Sequence, residues 1–259
     1  MATARDKRED EVDVSVEAAP ARDWGHWVAE LGGREQKRLA QFGGAVIAGV
    51  VAAVLVLYAF AWLAYEVMGQ ETAALDSRML QLVQQYSSPQ LTRAAEIVSL
   101  FGSELVWLIA LVLLGVFAWQ RRWGAAVMLM LVAGGAQLLN DVLKEVFHRA
   151  RPEALQGLIQ AQQYSFPSGH AMVGAAFYFY VGYLTWRIVH GWWRILVIVG
   201  LVLLVGLIGL ARIYLEVHYV SDVIAGYLAG FLWTDAVILG SRGLKMRTQR
   251  RLRPRTLTG

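Results

Sequence analysis

The chain has 259 residues, 57% of them hydrophobic, a mean hydropathy of +0.44 and a formal net charge of +4. That composition excludes an ordinary soluble domain, which is markedly less apolar. The sequence contains no cysteine, which excludes disulfides and thiolate metal sites.

The order of the chain shows where the apolar residues lie. Residues 1–38 are polar and mixed in charge, and they read as a flexible cytoplasmic tail. Within it, Trp24 to Leu31 suits a short helix on the membrane surface. The charged start of the chain does not resemble a cleavable signal peptide. Charge is then absent from 39–65, 105–120, 123–140 and 195–211. Between 154 and 186, His170 is the one group that ionises near neutral pH. Gaps of this kind match the ~20 residues that a helix needs to cross a bilayer.

The expected fold is therefore all-α, a polytopic membrane protein with six spans at about 41–65, 103–120, 123–143, 169–189, 193–212 and 220–239. Residues 39–240 would form the membrane domain, and 241–259 a basic cytoplasmic tail. Between spans one and two, Leu75, Met79, Leu82, Val83 and Tyr86 share one helical face. Pro89 breaks that run, and a second short helix ends near Gly102. These pieces read as amphipathic outer helices that either roof a site or connect two spans. With both termini in the cytoplasm, the inner flanks hold fourteen Lys and Arg residues and the outer loops six, as the positive-inside rule requires.

Ionisable groups at the ends of spans are costly and need an explanation. In the six-span arrangement Lys144, Arg151, Ser168, Gly169, His170, Arg212, His218 and Asp222 all gather at the extracytoplasmic face. Lys144, Arg151 and Arg212 suit a group with two or more negative charges, and Arg in particular suits phosphate. Pro167-Ser168-Gly169 opens a helix, whose first N–H groups favour an anion. His218 and Asp222 lie four apart, on one face if the helix includes both, so the carboxylate can orient the imidazole. His170, on another helix, can protonate a leaving oxygen. An anion clamp, an oriented nucleophile and a separate acid are the equipment for phosphoryl transfer through phosphohistidine. No carboxylate cluster suits Mg²⁺, so no metal and no cofactor are expected.

Three motifs carry a resemblance. "KEVFHRARP" supplies Lys144, Arg151 and Pro152, Pro167 to His170 read Pro-Ser-Gly-His, and "ARIYLEVHYVSD" supplies Arg212, His218 and Asp222. In order and spacing they resemble the type 2 phosphatidic acid phosphatase superfamily over about residues 70–240. Ala211 stands where that family most often has Ser. The resemblance implies six helices with an extracytoplasmic site. It also implies His218 as nucleophile, Asp222 as its partner, His170 as acid, and Lys144, Arg151, Ser168, Gly169 and Arg212 as the phosphate clamp.

The expected activity is a metal-independent lipid phosphatase acting on undecaprenyl pyrophosphate, phosphatidic acid or phosphatidylglycerol phosphate. The alternatives are a lipid phosphotransferase using the same intermediate, and a non-catalytic lipid-phosphate binder or transporter. The expected partners are a membrane lipid and the bilayer, with no nucleic acid; the oligomeric state is left open. Outside the motifs, His148 and Arg149 read as loop surface that adds positive potential. Glu104, Asn140 and Asp141 read as hydrogen bonds between helices, and Gly226 with Gly230 as a packing seam.

Overall fold

A computed structural model describes residues 24–152 and 164–252, with side chains described at position 44 and, within those ranges, from 47 to 244. The expected 1–38 tail lies outside these residues up to position 23, and so does the end of the C-terminal tail. The chain divides into two compact units, Met1–Ala45 and Val46–Gly259. The first contributes only helix to the described residues, the leading part of α1 (Trp24–Met68). All that follows concerns the second.

The described residues are helical and contain no strand. After α1 come α2 (Ala73–Gln85), α3 (Pro89–Leu100), α4 (Glu104–Trp119), α5 (Trp123–Phe147), α6 (Gly169–Ile188), α7 (Trp193–Tyr214) and α8 (Val220–Leu252). The expected break at Pro89 is a helix start. Ser88 is its N-cap, and its Oγ accepts from Leu91 N at 3.3 Å, with Pro at the first helical position.

Among the described residues, five stretches are long and apolar enough to cross a membrane: 47–68, 89–119, 123–147, 193–214 and 220–244. The protein is a multi-pass membrane protein. The fourth expected span, 169–189, corresponds to α6, 20 residues long, which falls short of that apolarity. The reason is its place in the bundle. It packs against α5, α7 and α8, and Ala171 to Tyr178 are all buried. A helix surrounded by protein does not need the lipid-facing side chains that a hydropathy scale detects. By contrast Leu55, Leu111 and Leu203 stand exposed on α1, α4 and α7.

The core is formed where these helices meet, from Val106, Leu129, Val132, Ala136, Phe177 and Ile208, among others. Small residues and interhelical hydrogen bonds hold it together, as expected where lipid removes the hydrophobic drive between helices. The expected Gly226–Gly230 seam is where α8 meets α6. A Cβ on Gly226 would lie 2.8 Å from Ser168 O, and one on Gly230 would lie 2.4 Å from Met172 O. Thr234 Oγ1 donates to Ala176 O at 3.0 Å, and Trp233 Nε1 donates to Leu131 O at 2.8 Å. Helices α2 and α3 pack on α7. They do more than connect two spans, because each sends a polar side chain to the same end of the bundle.

Candidate active site

A cavity of about 340 Å³ opens at that end. Its wall includes Lys144, Arg151, Gly169, His170, Arg212 and His218. Local sequence places each of them. Lys144 sits in the last turn of α5, which stops because His148 takes a left-handed conformation (φ 48°). Arg151 follows, kept out of helix by Pro152. This segment is tied to the second motif: Ser165 N donates to Arg149 O at 2.8 Å, and Ser165 Oγ to Ala150 O at 2.9 Å. Arg212 occupies the last turn of α7, and His218 the turn between α7 and α8.

The start of α6 is fixed from two sides. Asn140, buried on α5, donates from Nδ2 to Pro167 O at 3.3 Å. A Cβ on Gly169 would lie 3.0 Å from Asn140 Oδ1, so a larger residue here would press on the Asn140 amide. From the other side, Ser168 N donates to Asp222 O at 3.0 Å, joining the second and third motifs. Ser168 is fully buried and spends its backbone N–H on Asp222, so the N–H groups free to meet an anion begin at Gly169.

Behind the cavity lies a layer of paired charges. His218 Nδ1 is 3.6 Å from Asp222 Oδ2, and both residues are buried. The same Oδ2 accepts from Tyr219 N at 2.9 Å. Oδ1 of Asp222 receives Arg149 Nη1 at 2.5 Å. The other arm of that guanidinium, Nη2, reaches Asp76 Oδ2 at 2.7 Å. Ser221 completes the set: its N and Oγ donate to Asp76 at 3.1 and 2.6 Å, while its Oγ accepts from Arg149 at 2.7 Å. Arg149 also lies 4.4 Å over the Tyr219 ring. On the far side of the cavity, Arg212 Nη1 donates to Ser99 Oγ of α3 at 2.7 Å. A hydroxyl therefore reaches Arg212 from α3, although Ala211 supplies none.

These surroundings tune the ionisable groups. Burial pushes the His218 imidazole down to about 4; Asp222 opposes that fall, while Arg212 and Arg151 add to it. His218 is thus neutral at neutral pH. Burial also works against the Arg149 charge, but Asp222 and Asp76 outweigh it and hold the guanidinium above its ordinary value. Among the described residues, no three His, Cys, Asp or Glu side chains converge as metal ligands. The cavity offers an anion three fixed cations, a helix N-terminus and two imidazoles.

Of the eight expected site residues, six share the cavity wall, while Asp222 sits behind His218 and Ser168 behind Gly169. Arg149, expected as loop surface, has a side chain only 15% exposed and joins two carboxylates. Asp76, Ser99 and Ser221 were not anticipated. A signal for Asp76 did exist: it shares the face of α2 that carries Met79, Val83 and Tyr86, and an acid on an apolar face demands a partner.

Residues 123–246, which hold all three motifs, match the family model of the PAP2 superfamily. Through them the chain is similar to the PAP2 superfamily, over a little under half of its length. Phosphatidylglycerophosphatase B of Bacillus subtilis (strain 168) is 38% identical over 136 residues, 51% of this chain and 64% of that protein. The match thus spans a little under two thirds of that relative. An undecaprenyl-diphosphatase of Sulfolobus acidocaldarius is 28% identical over 167 residues, 62% of this chain and 76% of that one. The crystal structure of a transmembrane PAP2 type phosphatidylglycerolphosphate phosphatase from Bacillus subtilis superposes with a TM-score of 0.65 at 27% identity, covering 76% of this chain and 98% of that one. The PAP2 match starts at α5; α2 and α3, which supply Asp76 and Ser99, lie before it.

Proposed function

We propose that this protein is a membrane phosphatase that removes the terminal phosphate of a lipid phosphate or pyrophosphate through a phosphohistidine. One observation carries the proposal: His218, neutral and backed by Asp222, shares one cavity with Lys144, Arg151 and Arg212. The PAP2 relatives named above are lipid phosphatases, which supports the same reading.

In the proposed reaction the three cations and the Gly169 and His170 N–H groups hold the non-bridging phosphate oxygens. Nδ1 of His218 faces Asp222, which leaves Nε2 to attack phosphorus. The N–P bond forms as the bond to the leaving oxygen breaks, and His170 gives that oxygen its proton. His170 then takes a proton from water, whose oxygen cleaves the N–P bond and releases inorganic phosphate. Asp222 offsets the charge that His218 carries in the intermediate. The lipid tail stays in the bilayer beside the bundle, with six helices spanning, both termini cytoplasmic and the site extracytoplasmic. Phosphatidic acid, phosphatidylglycerol phosphate and undecaprenyl pyrophosphate all fit this chemistry.

The test is phosphate release from each of these lipids by protein purified in detergent with EDTA present. Activity should survive the chelator and fall by ~10³-fold or more in His218→Ala. Full activity in that variant would overturn the mechanism. Adding a soluble alcohol separates hydrolysis from transfer: a phosphotransferase would yield the alcohol's phosphate ester at the expense of inorganic phosphate.

A further inference from the structure

We infer that Asp76 is a charge-balancing positioning residue for His218, acting through Arg149 and Asp222. The inference deepens the proposed mechanism and rests on it. Asp222 is not a simple partner of His218. One of its oxygens is ion-paired to Arg149 at 2.5 Å, and only the other faces the imidazole, at 3.6 Å. An isolated Asp222–Arg149 pair would be neutral overall. It would leave no net charge to balance the cation that forms on His218 when it takes a phosphoryl group.

Asp76 changes that balance. It is 1% exposed, and it takes the second arm of Arg149 at 2.7 Å. Two carboxylates now share one guanidinium, so the buried set carries one net negative charge behind the imidazole. Its geometry is fixed as well as its charge. Ser221, the residue next to Asp222, donates both N and Oγ to Asp76, which holds the start of α8 against α2. A purely structural ion pair would need one acid for one base. The second acid, buried at the cost that burial of charge carries, is explained by the charge it returns to the site.

Other groups face His218 from every side: Lys144 on α5, Arg151 in the following segment, His170 on α6, Arg212 on α7 and Asp222 on α8. All stay constant when only Asp76 and Arg149 are changed. That makes a test by charge arithmetic possible. Asp76→Asn leaves the set neutral. Asp76→Asn combined with Arg149→Gln removes one charge of each sign and restores one net negative charge on Asp222.

Phosphate release from phosphatidic acid in detergent with EDTA should fall about 10- to 100-fold in kcat for Asp76→Asn, the range for partners that orient and tune a reacting ligand, with KM little changed. The double variant should recover a large part of the loss, although it lacks more native contacts. A merely structural role predicts the opposite, a double variant at least as impaired as the single one. Histidine NMR in micelles gives a reading that does not need turnover, because the chain has only five histidines. The His218 titration should move down by about one unit in Asp76→Asn and return in the double variant. A wild-type protein that releases no phosphate from any lipid would sink the functional reading, and the NMR order would still decide this inference. If the double variant neither regains kcat nor restores the His218 titration, the inference is overturned.

Discussion

In the proposed mechanism His218 attacks phosphorus as a neutral imidazole, and its surroundings decide where on the pH scale that form exists. Burial lowers its pKa to about 4, against an unperturbed value near 6.5. A lowered pKa means that the neutral form persists at lower pH, so kcat/KM should rise with pH through about 4 and be level by pH 6.5 on that limb. The pH profile of phosphate release measures this; an acid limb centred near 6.5 would mean that His218 is solvated in the working enzyme. At this scale much of the site was legible in the sequence. Lys144, Arg151, His170, Arg212, His218 and Asp222 each stand where an apolar run meets an unexplained charge, and a bilayer makes such charges conspicuous. Arg149 and Asp76 were not legible as a pair, because 73 residues separate them and nothing in either local stretch names the other. The backbone N–H of Ser168 was not legible for a related reason. A helix start predicts free N–H groups, but only the fold shows that Asp222 O takes the first of them.

Two elements, α6 and α8, set the position of the second and third motifs relative to each other. Their contact depends on backbone passing close to backbone. A methyl on Gly230 would meet Met172 O at 2.4 Å and Ala175 Cβ at 3.1 Å, and one on Gly226 would meet Ser168 O at 2.8 Å. The two carbonyl oxygens belong to the main chain and Ala175 Cβ is bonded directly to it, so none of the three can rotate away and the helices must separate. Gly230→Ala should cost about 1–3 kcal/mol, the usual range for overpacking. Gly226→Ala should also cut kcat, because it displaces the turn that carries Gly169 and His170. Gly240, with nothing within 4 Å, is the control: alanine there should leave stability unchanged or slightly higher. Thermal unfolding in detergent, with activity on the same samples, distinguishes the three; equal unfolding temperatures throughout would show that the seam is loose. The sequence showed the seam as a small-xxx-small pair, and it located the helices to within a few residues. It did not show α1 continuing back to Trp24 or α8 onward to Leu252, because hydropathy marks where apolar residues stop, whereas a helix continues as long as its backbone bonds are satisfied.

For the molecule as a whole, the side of the membrane that the site faces decides which leaflet offers it lipid phosphates. In the proposed orientation, with the cavity extracytoplasmic, fourteen Lys and Arg residues flank the cytoplasmic side and six the other, three of those six being Lys144, Arg151 and Arg212 at the cavity. With those three set aside, the bias grows to fourteen against three, so orientation does not rest on the residues that function would place there anyway. The native chain has no cysteine, which makes single-cysteine labelling free of background. Ser87, exposed between α2 and α3, lies at the cavity end of the bundle, since Ser88 beside it pairs with Tyr214 in the last helical residue before the His218 turn. His190, exposed between α6 and α7, lies at the opposite end. In intact cells a membrane-impermeant maleimide should label Ser87→Cys, and it should label His190→Cys only after the membrane is opened. The reverse pattern would place the cavity on the cytoplasmic side, and the lipid phosphates offered to it would then have to come from the inner leaflet.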